Sequence, residues 1–202
     1  MKIAVVGLGY VGLPLSLQFA RSRVSVLGLD VDAEKVQLLN HGQSYINHIE
    51  PSAIAELISS GKFSASTDFN QIKEVEAVIV CVPTPLTKNR EPDISFVIKT
   101  GAMIAPHLAK GALVVLESTT YPGTTDQDLR TILEEGSGMK AGVDFHLAFS
   151  PEREDPANDE SKVKLIPKVV GGYTQVCLER ALALYSKAID TIVPVSSCRV
   201  AE

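Results

Sequence analysis

The chain is poor in the features that announce a membrane protein, a nucleic-acid binder, a metal site or a disulfide framework. Its N-terminal apolar run, Ile3-Ala4-Val5-Val6, stops at Gly7 after four residues. That is too short for a signal-peptide core or a bilayer span, so a cytoplasmic protein is expected. Basic charge is also scarce: 19 Lys and Arg stand against 24 Asp and Glu, a net charge of −5 with no basic stripe. This argues against nucleic acid and anionic membrane surfaces as partners. The three cysteines, Cys81, Cys177 and Cys198, are too few and too scattered for a framework, and no pair has metal-ligand spacing. Reduced thiols are expected, with Cys81 and Cys177 acting as buried hydrophobes. His41, His48, His107 and His146 form no ligand pattern either, so no metal is expected. None of the five tyrosines is followed four residues later by lysine, which removes the short-chain dehydrogenase pattern. There is no internal repeat and no low-complexity segment.

What is present is a hydrophobic content of 45%, enough to bury one core over 202 residues. Short continuous apolar runs alternate with helical patterns. Strands are expected at 3–6, 24–29, 77–82, 113–116, 145–149, 168–170 and 191–195. Helices are expected at 10–21, 32–41, 51–60, from a cap at Asp93 to about 108, and at 124–135 and 174–188. Continuous rather than alternating apolar strands imply a sheet covered on both faces. The expected fold is α/β, a Rossmann-like doubly wound and mainly parallel sheet with helices on both faces. The long loops at 83–92 and 150–167 follow strands, where open α/β sheets place their ligands.

Gly7-Leu8-Gly9-Tyr10-Val11-Gly12 is a G-x-G-x-x-G run between an expected strand and an expected helix. Gly7 allows the tight turn, Gly9 lets the backbone approach a pyrophosphate, and Gly12 lets the helix pack against the strand. The helix N-terminus then offers free N–H groups to the anion. Asp30 ends the second strand, where its carboxylate accepts hydrogen bonds from ribose hydroxyls and repels a 2′-phosphate. NAD rather than NADP is the expected cofactor. Lys35, on its own, reads as a solvated helix lysine.

With the elements in this order, five segments resemble the nucleotide-sugar 6-dehydrogenases, the UDP-glucose/GDP-mannose dehydrogenase family. They are Val5 to Pro14, Val82-Pro83-Thr84-Pro85, Glu117-Ser118-Thr119-Thr120-Tyr121-Pro122-Gly123-Thr124-Thr125, Phe149-Ser150-Pro151-Glu152-Arg153, and Ile166-Pro167-Lys168-Val169-Val170-Gly171-Gly172. The resemblance covers essentially the whole chain. It implies oxidation of the C6 alcohol of a sugar nucleotide to a carboxylate with two NAD molecules in succession. It implies that Gly7, Gly9, Tyr10, Val11, Gly12, Asp30, Lys35, Thr84, Ser118 and Thr119 hold the cofactor. Thr119 would also position a water, Glu152 would take part in acid–base chemistry, and Glu152 and Arg153 would face the substrate. The run from Ser150 to Asn158 is most similar to the N-acetylhexosamine branch, implying UDP-N-acetylglucosamine, ahead of UDP-N-acetylmannosamine and UDP-glucose.

Members of the family run about twice as long. Residues 1–202 are therefore expected to be the N-terminal NAD-binding domain, a Rossmann unit to about 120 with strands and helices appended over 121–195. The resemblance places a central helix carrying a lysine, and a sugar-nucleotide domain carrying a nucleophilic cysteine, outside these residues. This stretch alone is then expected to be inactive and monomeric, and the full-length enzyme a homodimer or larger. Two positions depart from the family pattern. Arg23 stands where relatives tend to carry a glycine that ends the first helix in a left-handed turn. Cys198 stands where relatives tend to carry a small residue such as threonine; an adjacent cation such as Arg199 can lower a thiol pKa, but the cysteine reads as incidental. Two other readings fit the residues less well. A 6-phosphogluconate-type dehydrogenase shares the glycine loop but not Ser150-Pro151-Glu152-Arg153, and an NAD-sensing Rossmann module has no use for the Glu152-Arg153 loop.

Overall fold

The computed structural model describes residues 1–88, 90–152 and 167–202. The first half runs β1 (Lys2–Val6), α1 (Gly12–Arg21), β2 (Ser25–Leu29), α2 (Ala33–Asn40), α3 (Pro51–Ser59), β3 (Phe63–Ser66), β4 (Ala77–Val80) and α4 (Ser95–Ile104). The second runs β5 (Leu113–Leu116), α5 (Arg130–Ser137), β6 (His146–Phe149), β7 (Lys168–Gly172), α6 (Gln175–Tyr185), β8 (Ile192–Val195) and α7 (Cys198–Ala201).

All eight strands share one sheet in the order β3-β2-β1-β4-β5-β6-β7-β8. Neighbours are parallel except β6 and β7. The central strands β4, β5 and β6 are buried at every residue because helices cover both faces. One core lies under α1, α3 and α6 and includes Phe19, Ile54 and Tyr185. The other lies under α4 and α5 and includes Val97, Ile104 and Leu133. Full burial of such a side chain stabilises by about 1.5–3 kcal/mol, so the two layers hold the sheet between them. Strand order reverses between β1 and β4, whose last paired residues, Val6 and Val80, are level with Leu29 of β2. A crevice opens at these carboxyl ends.

The local chemistry accounts for most element ends. Asp32 accepts from the N–H groups of Glu34 and Lys35 and caps α2 (3.0 and 3.2 Å). Thr174 caps α6 through Cys177 N (3.2 Å). Pro194 is tolerated in β8 because that strand is at the sheet edge.

Several expectations need correcting. β3 was not anticipated: Phe-Ser-Ala-Ser has two apolar residues on one face, too short an alternation to register. The fourth strand ends at Val80, not 82, where Val82 and Pro83 turn into the crevice; Pro83 cannot donate and restrains the residue before it. Asp93 accepts from Ser95 N (2.9 Å), but α4 begins only at Ser95 and gives way at Ala105 to a 3-10 turn containing Pro106. The expected helix at 124–135 opens as a π-helical segment, Thr124–Leu129, before α5. The reading of Cys198 as incidental stands, by contrast: Arg199 is engaged by Asp126 (2.8 Å), and burial, aided by the nearby carboxylates of Glu202 and Asp126, pushes the thiol up to about 12.

Candidate functional site

The crevice is a pocket of about 760 Å³ built from the ends of β1, β2, β4 and β5 and from one face of α4. Its floor starts at the glycine turn. Gly7 has φ +92° and its N–H donates to Leu29 O (2.8 Å); a Cβ there would meet Cys81 O at 2.6 Å. Gly12 lies behind the pocket, where a Cβ would sit 1.9 Å from Gly7 O. Gly9 differs: an added Cβ meets nothing within 4 Å and would intrude on open space. No described side chain caps α1, and within its first turn Leu13 N–H already donates to Gly9 O (3.1 Å) and Pro14 has no N–H, so the backbone donors at the pocket edge are those of the turn itself, from Gly9 to Gly12. A helix N-terminus with an open glycine before it fits a pyrophosphate.

Asp30 sits at the end of β2, 8% exposed. Oδ2 accepts from Leu8 N (2.8 Å) and Oδ1 from Asp32 N (3.0 Å). The carboxylate therefore braces the glycine loop as well as lining the pocket. One acceptor position on each oxygen remains for a ligand hydroxyl. Lys35 lies 3.8 Å from Asp32 Oδ2, and its ammonium is 5.8 Å from the Tyr45 ring centroid. Tyr45 donates to Leu8 O. Burial, then the carboxylates of Asp30 and Asp32, push the Tyr45 hydroxyl above the ordinary tyrosine range, so it remains a donor.

At the other end, Ser118 donates to Val82 O (2.6 Å) and ties the loop after β5 to the loop after β4. Thr119, exposed, and Glu152, half-buried, both line the pocket there, as does Thr84. Gly7, Gly9, Tyr10, Val11, Asp30, Lys35, Thr84, Ser118, Thr119 and Glu152 thus border one pocket, with Gly12 behind it. Arg153 and the segment 153–166 lie outside the described residues.

Two features of the site were not read from the sequence. One is an apolar wall of Val31, Phe69, Phe96, Thr100 and Met103, with Lys99 beside it. Phe96, Thr100 and Met103 recur at helical spacing, a signal that reads equally well as core packing. Their exposure is what separates them from core: Phe96 is 41% and Met103 38% exposed. The second is Glu117, 1% exposed at the pocket floor. Lys168 Nζ donates to its Oε2 (2.9 Å) and Tyr185 OH donates to its Oε1. Burial pushes the Glu117 carboxyl up against the pull of Lys168. Burial also works against the Lys168 ammonium, but the carboxylates of Glu117 and Glu152 outweigh it and hold Lys168 above the ordinary lysine value.

Comparison with known proteins bears on the whole chain. Residues 1–189 match the family model described as "UDP-glucose/GDP-mannose dehydrogenase family, NAD binding domain". A UDP-N-acetyl-D-glucosamine 6-dehydrogenase of Pseudomonas aeruginosa is 36% identical, aligned over 100% of this chain and 47% of its own. A UDP-N-acetyl-D-mannosamine dehydrogenase of Pyrococcus horikoshii is 34% identical over 100% of this chain and 48% of its own. Among solved structures, GDP-mannose dehydrogenase from P. aeruginosa superposes with a TM-score of 0.91 at 27% identity, covering 100% of this chain and 47% of that one. The chain therefore spans about half the length of the relatives it matches. On its sequence and its fold, the chain belongs to the UDP-glucose/GDP-mannose dehydrogenase family and corresponds to its NAD-binding domain.

Proposed function

We propose that residues 1–202 form the cofactor-holding domain of an enzyme that oxidises the C6 alcohol of a UDP-linked sugar to a carboxylate, using two NAD molecules in succession. The observation that carries the reading is a single pocket with Asp30 and Lys35 at one end and Thr119 and Glu152 at the other. NAD supplies the hydride acceptor for each oxidation. Gly9 and the turn leading into α1 bind the pyrophosphate, and Gly7 and Gly12 keep that turn in shape. Asp30 accepts from the ribose hydroxyls and disfavours a 2′-phosphate, with Lys35 beside it. Tyr10, Val11 and Thr84 lie along the dinucleotide. Ser118 holds its loop through Val82 O, so that Thr119 faces the reacting centre and orients a water. Glu152 takes up and returns the proton.

For the sugar we favour UDP-N-acetylglucosamine, with UDP-N-acetylmannosamine and UDP-glucose next. The support is that relatives at 36% and 34% identity carry names for UDP-linked N-acetylhexosamines. A site that hydrogen-bonds an acetamido group rejects the plain hydroxyl by orders of magnitude. The complete protein, assayed with NAD and these three sugars plus GDP-mannose, is expected to show its highest kcat/KM with UDP-N-acetylglucosamine. A maximum with UDP-glucose overturns the acetamido assignment. The 202-residue chain is expected to bind NADH at least about tenfold more tightly than NADPH by calorimetry, a difference of about 1.4 kcal/mol. Equal affinities would remove the role given to Asp30. The chain alone is expected to form no NADH from any of these sugars, since Cys81, Cys177 and Cys198 are all buried.

A further inference from the structure

The function proposed above leaves a buried charge cluster under the pocket without a task. Lys168, 6% exposed at the start of β7, donates to Glu117 just after β5, and Tyr185 on α6 donates to the other oxygen of the same carboxylate. The ammonium also lies 5.1 Å from the Tyr185 ring centroid. It is clamped from two elements and has little freedom to leave.

Strand register shows what lies on its other side. β6 and β7 pair antiparallel, with Ala148 opposite Gly172 and Phe149 opposite Gly171. Beyond the last pair, Ser150 Oγ donates to Val169 O (2.7 Å) and keeps the two segments together. Carrying the same register three residues further brings Glu152 level with Lys168. The field agrees, since the charge of Glu152 acts on Lys168, Glu117 and Tyr185. The groups facing the ammonium are then Glu117 after β5, Tyr185 from α6, Glu152 after β6 and Cys81 after β4. One cation stands against two carboxylates, one sealed in the core and one at the pocket wall.

We propose that Lys168 is the positioning residue for Glu152: held by Glu117 and Tyr185, its ammonium sets where the Glu152 carboxylate stands in the pocket. The inference rests on the reading of Glu152 as the acid–base group. A pocket filled by a dinucleotide and a sugar loses water, and desolvation drives a carboxylate toward its neutral form. A fixed ammonium behind the carboxylate opposes that drift at every stage of ligand entry. A lysine suits the task because a compact point charge can serve two acceptors on different sides.

The test uses the complete enzyme and compares Lys168→Met, Lys168→Arg, the double variant Glu117→Gln/Lys168→Met, and Glu152→Gln. In Lys168→Met the acid limb of the kcat profile should move to higher pH by about one unit, a roughly tenfold loss at a fixed pH on that limb. KM for NAD should stay within about twofold, and Lys168→Arg should return the limb toward its original place, because the cation is restored. The double variant buries no unpaired charge, so it remains folded where the single change is not tolerated, and it should show the limb displaced in the same direction by a smaller amount, because the Glu117 charge is removed as well. An unmoved limb, or an equal loss of kcat at every pH, in whichever of the two variants carrying Lys168→Met is folded overturns the proposal. Glu152→Gln separates the two ideas. If it abolishes turnover while the limb stays put in the lysine variants, only the positioning role fails. If it turns over at the original rate, the acid–base reading of Glu152 fails and takes the positioning role with it.

Discussion

Arg23 has a φ of +65°, in the left-handed region where a β-carbon crowds the backbone. The position was expected from the family pattern, in which glycine ends the first helix. The structure shows that arginine adopts the glycine conformation, with its N–H bonded to Ala20 O (3.0 Å) and Val24 N bonded to Phe19 O (3.1 Å). Those bonds close the helix end and hold the residue in a strained conformation costing about 1 kcal/mol. Arg23→Gly should therefore raise stability by about 0.5–1 kcal/mol, read from urea unfolding, even though glycine loses more chain entropy. A fall in stability would mean that the arginine side chain contributes more than the strain costs. Asp30 makes a related point. Its place at a strand end was legible, but its bond to Leu8 N was not, because that bond forms only once β1 and β2 are paired, whereas the bond to Asp32 N is a local turn two residues on.

At the scale of the element, the glycine turn divides into residues that shape it and one that leaves room. A Cβ at position 12 would collide with the carbonyl of Gly7, whereas at position 9 it would meet no protein atom within 4 Å. Gly9→Ala is expected to keep the wild-type melting temperature and lose NADH affinity by about tenfold or more. Gly12→Ala is expected to lower the melting temperature as well, since the collision is with backbone. Calorimetry and thermal unfolding of both variants check the distinction, and equal effects on stability would erase it. A second element-scale case is Glu134 on α5. Burial opposes its charge, but Ala141 N (3.1 Å), Lys140 (3.1 Å) and Arg130 (3.4 Å) outweigh it and hold its pKa below the ordinary glutamate value. A depressed folded pKa adds stability that is present above the unfolded value and is lost as pH falls through the folded one. Glu134→Gln should cost about 1 kcal/mol at pH 7, discounted for partial exposure of the pairs. The cost should fade as pH drops below the ordinary glutamate range, and unfolding curves at pH 7 and pH 3 measure it.

Across the whole molecule, the last described helix is fastened to the loop that follows β5. Glu202 accepts from Gly123 N (2.7 Å) and Thr125 N (2.8 Å), and Arg199 pairs with Asp126 (2.8 Å). A carboxylate at these N–H groups also complements the dipole of the helical turn they open. α7 approaches β7 so closely that a Cβ on Gly171 would meet Ser197 O at 2.2 Å. Glu202→Ala should cost about 1–3 kcal/mol in urea unfolding, since two backbone donors lose a charged acceptor. It should also increase amide exchange at Gly123 and Thr125. Unchanged exchange there would show that water replaces the carboxylate at no cost.

Local pattern was enough to read the doubly wound, mainly parallel architecture, the glycine turn and the acid at the end of β2. Each depends on neighbours in sequence: continuous apolar strands, a G-x-G-x-x-G spacing, and a strand end. The NAD-binding family was legible for the same reason, because its motifs are short, ordered and local. What depended on the tertiary structure were pairings across long separations. Lys168 meets Glu117 from 51 residues away and Tyr185 meets it from 68. No periodicity records such a meeting; it follows from β7 running antiparallel to β6 and α6 folding back over β5. β3 likewise becomes a strand because β2 presents it with a free edge, and Phe96 and Met103 are a pocket wall rather than core because none of the described residues covers that face of α4. Sequence neighbours determine turns and faces, while the register and order of strands decide which charges share a buried site.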